Sequence, residues 1–132
     1  MRREFDLPEC DVEFLDTLGL RWEAVRDGQL GRVVIYDHPV PSGLKPDRVA
    51  LNVRIEPGYP DTQIDMAYVY PPIEREDGKP IRAIANDKFD GKVWQRWSRH
   101  RTPANPWRPG VDDIATHLEL VRSWFGRERK GR

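Results

Sequence analysis

The segment RVALNVRI, residues 48–55, alternates between apolar and polar side chains. On a strand its apolar residues share one face: Val49, Leu51, Val53 and Ile55. The segment IDMAYVYP, residues 64–71, repeats the pattern. Its predicted apolar face holds Ile64, Met66, Tyr68 and Tyr70. Such alternation is typical of an antiparallel sheet with one face on the core and the other toward water.

Outward from these two strands, turns and caps define the remaining elements. Residues 20–41 predict two more strands, which the turn RDGQLG at 26–31 joins as a hairpin. LPECDVEFLDTLG, residues 7–19, predicts a short helix, with Pro8 at its start and Gly19 at its end. GVDDIATHLELVRSWF, residues 110–125, is the strongest helix pattern, capped by Asp112 or Asp113. Its apolar stripe is Ile114, Leu118, Val121 and Phe125.

Between the last strand and this helix, residues 71–110 show no sustained periodicity. An irregular stretch of that length in a compact domain indicates a functional segment. The predicted fold is therefore α+β: an N-terminal helix, a four-stranded antiparallel sheet in meander order, a long irregular segment, and a C-terminal helix packed on the sheet. We expect a single domain over 1–132, with 127–132 as a frayed polar tail.

Composition narrows the class of protein. The chain has 132 residues with 22 acidic and 22 basic side chains, so no net positive charge favours nucleic acid. Its single cysteine, Cys10, excludes an internal disulfide, and its three histidines show no ligand spacing. We therefore predict no metal and no other cofactor. With neither a signal peptide nor a membrane-spanning apolar run in the sequence, we expect a cytoplasmic protein.

The segment WQRWSRHR, residues 94–101, holds the candidate site. From Gly91 to Val111 the chain has five lysines and arginines and no acidic residue. Ser98 and His100 are two apart, so on an extended chain the imidazole can reach the hydroxyl and act as a base. The candidate binding residues are Arg96, Arg99 and Arg101, suited to an oxyanion or a C-terminal carboxylate, and Trp94, Trp97 and Trp107.

Two other interpretations of this segment stay open. In the first, Trp94 and Trp97 anchor the loop, and the arginines are solvated or bind a partner. In the second, these two rings and Trp107, interleaved with arginines, stack on the bases of single-stranded nucleic acid. The balanced net charge opposes the second interpretation.

A family resemblance rests on specific residues. Tyr59 and Pro60 follow the third predicted strand, Pro71 and Pro72 close the fourth, and WRPG at 107–110 precedes the final helix. Together with LPE, FL, WE and above all WQRWSRHR, these motifs resemble the prokaryotic ubiquitin-conjugating-like family E over about residues 5–125. The resemblance implies the ubiquitin-conjugating-enzyme fold. It also implies partners: a ubiquitin-like protein, an adenylating activating enzyme and a JAB-type metallopeptidase.

The chain departs from ordinary conjugating enzymes at the reactive position. It has no His-Pro-Asn motif, and no cysteine follows Cys10. Thioester transfer requires a thiolate in this loop, so the ordinary mechanism is absent or another nucleophile replaces it. The resemblance thus implies either a conjugating-like protein that handles or transfers a ubiquitin-like protein at 94–101, or an inactive adaptor that binds the ubiquitin-like protein or the activating enzyme.

Overall fold

The computed structural model describes residues 1–129. Two α-helices flank a run of eight strands. The helices are α1, Glu9–Thr17, and α2, Ile114–Arg129. The strands are β1, Trp22–Asp27; β2, Leu30–Pro39; β3, Leu44–Lys45; β4, Arg48–Ile55; β5, Ala67–Tyr70; β6, Glu74–Arg75; β7, Ile84–Phe89; and β8, Lys92–Trp97.

Six of these strands form one antiparallel sheet in the order β1-β2-β4-β5-β8-β7, and β3 and β6 form a separate pair. The predicted α+β fold is confirmed in its main features: an N-terminal helix, an antiparallel sheet and a C-terminal helix. The four predicted strands are neighbours in the predicted order. The predicted number of strands is wrong, because the sheet has six.

The two additional strands lie in the segment predicted to be irregular. Residues 84–97 form the β7–β8 hairpin, whose turn is Asp90–Gly91 with φ of 54° and 74°. Positive φ at both turn residues is typical of the two-residue hairpin turn that matches strand twist. The hairpin escapes prediction because Ile84, Asn86 and Lys88, which share one face of β7, are all exposed, and Lys92 and Val93 of β8 are exposed as well. No apolar alternation therefore marks it.

Strand β4 and both helices contribute to one hydrophobic core. Val49, Leu51, Val53 and Ile55 of β4 are all buried in it, as the alternation predicts. Ile114, Leu118, Val121 and Phe125 of α2 are buried in the same cluster, and so is Leu15 of α1. The C-terminal helix therefore packs on the predicted face of the sheet.

The face predicted for residues 64–71 is wrong. Met66 has a φ of 60°, which breaks the extended backbone, and β5 begins only at Ala67. Ile64 is buried in the core beneath the helices, whereas Tyr68 packs on the opposite face with Val34 and Trp94. The left-handed conformation of Met66 interrupts the alternation of side chains, so the residues before and after it do not share one face of a strand.

The two edges of the sheet differ. Along β1, the N-terminal segment adds a short parallel bridge, in which Glu4 donates its N–H to the Ala24 carbonyl at 2.8 Å and Ala24 donates to the Arg2 carbonyl at 3.0 Å. At the opposite end, β7 pairs with β8 on one side, and no strand among residues 1–129 pairs with its other side.

Helix α2 is capped at its start and extends beyond its predicted end. Asp113 Oδ1 accepts from the Thr116 N–H at 3.0 Å, and the Asp113 N–H donates to Thr116 Oγ1 at 3.0 Å. The helix continues to Arg129 and includes residues 127–129 of the predicted tail; residues 130–132 lie outside the described part of the chain. Buried Glu128 pairs with Arg75 and Arg99 and holds this last turn on the domain. Neither described helix is long and apolar enough to cross a membrane.

Candidate functional site

The two tryptophans of WQRWSRHR anchor opposite faces of strand β8. Trp97 is fully buried beneath the helices, edge-on to Phe125 with ring centroids 4.9 Å apart. Trp94 lies on the other face, where its indole N–H donates to the Phe89 carbonyl at 3.0 Å. Residues three apart on a strand point to opposite sides, and both rings are buried there, so neither is available to stack on a base. Residues 94–97 are therefore an anchored strand.

Gln95, between the two tryptophans, is a buried polar residue that ties β8 to the segment after β5. Its Oε1 accepts from the Ile73 N–H at 2.9 Å and from the Trp97 indole N–H at 2.8 Å. Its amide donates to the Ile73 carbonyl at 3.0 Å. These bonds fix the strand that leads into Ser98 and His100. No local pattern indicates this role, because a glutamine among charged residues resembles a solvated one.

The Tyr-Pro and Trp-x-Pro motifs pack together next to the start of α2. Their rings, Tyr59 and Trp107, lie 6.2 Å apart, and the Trp107 indole N–H donates to the Pro60 carbonyl at 3.0 Å. The Tyr59 hydroxyl donates to buried Asp11 at 2.7 Å and accepts from the Ile114 N–H at 3.1 Å. Burial and the Asp11 carboxylate raise the pKa of Tyr59, so the hydroxyl stays protonated. Trp107 is therefore a positioning residue for the loop before α2.

His100 contacts a carboxylate that the sequence did not associate with it. Its Nδ1 lies 3.0 Å from Oδ1 and 2.9 Å from Oδ2 of Asp65. A carboxylate only accepts hydrogen bonds, so Nδ1 carries the proton that faces Asp65, and in the neutral tautomer of the ring Nε2 holds the free lone pair. Asp65 Oδ1 also accepts from the Met66 N–H at 3.1 Å. The His100 side chain is 61% exposed, which leaves the ring open to a reactant.

Ser98 and His100 do not interact directly. Within the described chain no hydrogen bond joins them, and Ser98 Oγ instead accepts from Arg96 Nε at 3.3 Å. The Ser98 N–H still bonds to the Ala83 carbonyl, but the Arg99 N–H then turns back to the Trp97 carbonyl at 2.9 Å. This tight turn ends the extended chain, so the expectation that side chains two apart point to one side does not apply.

The arginines expected to bind a partner are also engaged within the fold. Arg99 donates to the carbonyls of Arg82 and Ala83, stacks over Trp97 and lies 3.5 Å from Glu128. Arg101, whose side chain is 7% exposed, lies 3.7 Å from Asp112 and over the Trp107 ring. The segment 91–111 contains no acidic residue of its own. Folding brings acidic partners to it from other parts of the chain, namely Asp65, Asp112 and Glu128.

A pocket of about 550 Å³ lies beside these residues, between the His100 loop and helix α2. Ser98 and His100 contribute to its wall. Its charged lining has four arginines, at 82, 99, 101 and 127, and one acid, Glu128. Arg82 and Arg127 are exposed at its rim. The excess of positive charge suits the pocket to a carboxylate or another small anion.

Cys10 lies away from this pocket, at the start of α1. Desolvation and the carboxylates of Asp11 and Asp113 raise the pKa of the Cys10 thiol, which opposes thiolate chemistry. The ligand atoms of these three residues lie within 4.8 Å of one another. Asp11 is occupied by Tyr59, however, and Asp113 caps α2. The predicted absence of a metal stays a prediction.

Family comparison agrees with the fold and the motifs. Comparison with curated proteins and with solved structures gave no match. The family described as Prokaryotic E2 family E matches residues 7–128, nearly the whole chain, which confirms the resemblance based on the Tyr-Pro, Trp-x-Pro and WQRWSRHR motifs. The family gives a broad link to ubiquitin-like pathways, ubiquitin-like proteins and activating enzymes. This chain belongs to Prokaryotic E2 family E.

Proposed function

We propose that this chain is a ubiquitin-conjugating-like protein of a bacterial cytoplasmic pathway that transfers a ubiquitin-like protein without a cysteine. The basic pocket receives the C-terminal acyl phosphate of the adenylated ubiquitin-like protein, whose negative charge the free carboxylate also carries, and His100 removes a proton from the attacking nucleophile. The observation that carries the proposal is the Asp65–His100 pair at the mouth of a positively charged pocket. An adenylating enzyme supplies the activated acyl group.

The proposed chemical step is direct acyl transfer. The acceptor amine attacks the carbonyl carbon of the acyl adenylate, and a C–N bond forms as the C–O bond to the adenylate phosphate breaks. The amine proton passes to His100 Nε2, and Asp65 stabilises the resulting imidazolium through Nδ1–H. AMP leaves with the bonding electron pair. The step needs no protein-bound acyl intermediate.

Ser98 has a secondary place in this proposal. An oxyester on Ser98 would require His100 to accept the hydroxyl proton, but Ser98 Oγ is bonded to Arg96 instead. Direct transfer uses the geometry as it stands. Ser98 then contributes a polar group to the pocket wall, next to the Arg96 guanidinium. A Ser98→Ala variant should therefore keep most of its activity, whereas an oxyester mechanism requires its loss.

A non-catalytic adaptor is the second candidate. The observation that favours it is the engagement of Arg99 with Glu128 and of Arg101 with Asp112, because paired arginines are typical of a structural role. The adaptor would bind a ubiquitin-like protein or the activating enzyme without chemistry. It predicts that His100 variants bind and support conjugation like the parent.

The binding part of the proposal is testable without turnover. A ubiquitin-like protein from the genome that encodes this chain is titrated by calorimetry, with its C-terminal carboxylate intact or amidated. Binding should weaken on amidation and in an Arg82→Ala, Arg127→Ala double variant, because both changes remove charge complementarity at the pocket. Arg122→Ala, an exposed arginine outside the pocket lining, is the matched control. Equal affinity for all forms contradicts the pocket assignment.

Binding of single-stranded DNA to the parent chain tests the nucleic-acid interpretation. Buried Trp94 and Trp97 leave no stacking platform on β8, so binding to random single-stranded DNA should be weak at physiological salt. Tight binding with a steep salt dependence would favour nucleic acid instead.

A further inference from the structure

We propose that the free edge of strand β7 accepts an extended peptide segment as an additional antiparallel strand, and that this segment is the C-terminal tail of the protein whose carboxyl group enters the basic pocket. The inference rests on the proposed function for the identity of the tail. The addition of a strand to β7 does not depend on that function, because it rests on the unpaired edge of β7 alone.

The first observation is the asymmetry of the two sheet edges. The β1 edge is already covered, since Arg2 and Glu4 make backbone hydrogen bonds with Ala24. The β7 edge has no such cover among the described residues. An uncovered strand offers unpaired N–H and C=O groups that another extended chain can bind.

The pairing pattern shows which groups are on offer. The Ser98 N–H bonds to the Ala83 carbonyl, so residues 83, 85, 87 and 89 direct their backbone groups to β8. Ile84, Asn86 and Lys88 therefore direct theirs to the free edge. The strand provides three donors and three acceptors in register for a partner of about six residues.

The side chains beside this edge define the sequence of the partner. A depression of about 490 Å³ lies on the sheet face beside this edge, lined by Pro72, Ile84 and Val93 among others. Ile84 is 40% exposed and Val93 47% exposed, although both are large and apolar. Partner residues opposite Ile84 and Asn86 would lie on this face and should be apolar. The residue opposite exposed Lys88 should be acidic.

The direction of the added strand leads to the basic pocket. A segment antiparallel to β7 starts beside Lys88 and ends beside Ile84. Beyond Ile84 it meets Ala83 and Arg82, both of which line the basic pocket with Ser98 and His100. A free carboxylate one or two residues past Ile84 therefore arrives among Arg82, Arg99 and Arg127, where the charge is complementary. An internal loop of a partner has no such terminus.

Lys88 opposes non-specific pairing of the β7 edge with other exposed strands. A lysine on an edge strand is a common protection against aggregation. Here it favours an acidic residue at one position and disfavours apolar edges of other copies of this chain. Addition of a selected tail is therefore compatible with a monomeric domain.

The probe is a synthetic peptide written from the register, acetyl-Glu-Thr-Val-Thr-Val-Ser-Gly with a free carboxylate. Titrated into the ¹⁵N-labelled full chain, it should move the amide resonances of residues 84–88 and 98–101, with a Kd near 1 mM or below. The C-terminal amide of the same peptide should bind more weakly and lose its effect at 98–101. Shifts confined to other residues, or no shifts at millimolar peptide, overturn the proposal.

Asn86 provides a matched pair of variants. Asn86→Pro removes the outward N–H of an edge position, where proline is tolerated, and Asn86→Ala removes the side chain alone. Asn86→Pro should bind the peptide about tenfold more weakly, whereas Asn86→Ala should bind like the parent. Thermal unfolding of both variants checks that the fold is retained. A peptide with an N-methyl group on its first valine, the residue opposite Asn86, should fail to bind the parent chain, a test that needs no variant. Equal binding by all forms overturns strand addition.

Failure of this inference and failure of the proposed function give different results. If Asn86→Pro transfers a ubiquitin-like protein as well as Asn86→Ala does, while His100→Ala does not, the edge is not used and the function stands. If the peptide binds β7 but no ubiquitin-like protein binds or is transferred, the edge accepts a tail and the function is wrong.

Discussion

His100 and Asp65 lie 35 residues apart in the chain, yet the imidazole Nδ1 is 2.9 Å from the Asp65 Oδ2. Asp65 follows the long link after β4, and His100 follows β8, the strand that pairs with β5. The pairing of β5 with β8 therefore assembles the dyad. It gives His100 an orienting carboxylate of the kind that accompanies a general base, and the His100 side chain stays 61% exposed.

Replacing Trp97 should test the anchoring of the site. Trp97→Ala removes a fully buried ring that packs on Phe125 and leaves Gln95 Oε1 with one fewer donor. The free energy of unfolding should fall by about 3–5 kcal/mol. Chemical denaturation measures the change, and His100→Ala, in an exposed loop, is the control, with an expected change within about 0.5 kcal/mol. A Trp97→Ala protein as stable as the parent would contradict this packing.

Buried histidines should make the domain sensitive to acid. Burial lowers the pKa of His38 to about 4 and that of His117 to about 4, and each ring donates one N–H to a backbone carbonyl. Since the unfolded chain binds these protons near pH 6.5, stability should decrease as the pH falls from about 6.5 to about 4, by roughly 3 kcal/mol for each histidine.

Denaturant unfolding across this range measures the slope, and a His117→Gln variant should show about half of it. The ionisation of Glu23 falls mostly outside this pH range. Arg2 lowers the pKa of Glu23 to about 2, so the contribution of Glu23 to the free energy of unfolding is lost mainly below pH 4.5. A flat profile between pH 6.5 and 4 would show that the two rings are not buried in their neutral form.

The ion pairs of Glu128 should stabilise the end of α2. Glu128→Ala removes the carboxylate that lies 3.6 Å from Arg75 and 3.5 Å from Arg99, while buried Arg75 keeps its pair with Asp77. The free energy of unfolding should decrease by about 2–4 kcal/mol. Arg122→Ala, on the exposed side of the same helix, should change it little. If the two variants are equally stable, the ion pairs of Glu128 do not stabilise the end of α2, and residues 127–129 behave as the frayed tail predicted from the sequence.

Cys10 should be dispensable for transfer. Its pKa is raised and it lies at the start of α1, outside the basic pocket. A Cys10→Ala variant should transfer a ubiquitin-like protein at the rate of the parent, as followed by gel electrophoresis with and without reductant. If the parent forms a conjugate that reductant removes, and Cys10→Ala does not, Cys10 carries the acyl group and the cysteine-free mechanism is wrong.

Sequence patterns predicted those elements of the fold in which one face of a single strand or helix is buried. The alternation at 48–55 and the stripe Ile114, Leu118, Val121 and Phe125 each reflect a single element with one buried face, and both lie in the core. The β7–β8 hairpin was missed because the exposed residues of β7 share one face and its other face holds Asp87 beside apolar residues, so no apolar alternation marks it. Met66 was missed because nothing local marks a left-handed methionine.

The site shows the same division. The sequence located His100 and the arginines, because a basic run with interleaved aromatics is visible locally. It could not show that Asp65 orients His100 or that Glu128 and Asp112 pair with Arg99 and Arg101. Those contacts join residues from 11 to 35 positions apart and depend on strand order and on the path of α2. Whether these residues perform chemistry stays a prediction.

The central claim is most directly tested by the initial rate of acyl transfer from an adenylated ubiquitin-like protein to an acceptor amine, measured for the parent, His100→Ala and Asp65→Asn. Loss of a general base should lower the rate for His100→Ala by about a hundredfold or more. Asp65→Asn, which keeps an acceptor for the Met66 N–H, should give a smaller loss, because the ring is less well oriented. Both variants should unfold at the temperature of the parent. Folded variants that transfer at the parent rate would contradict the account and leave WQRWSRHR as a structural strand and loop.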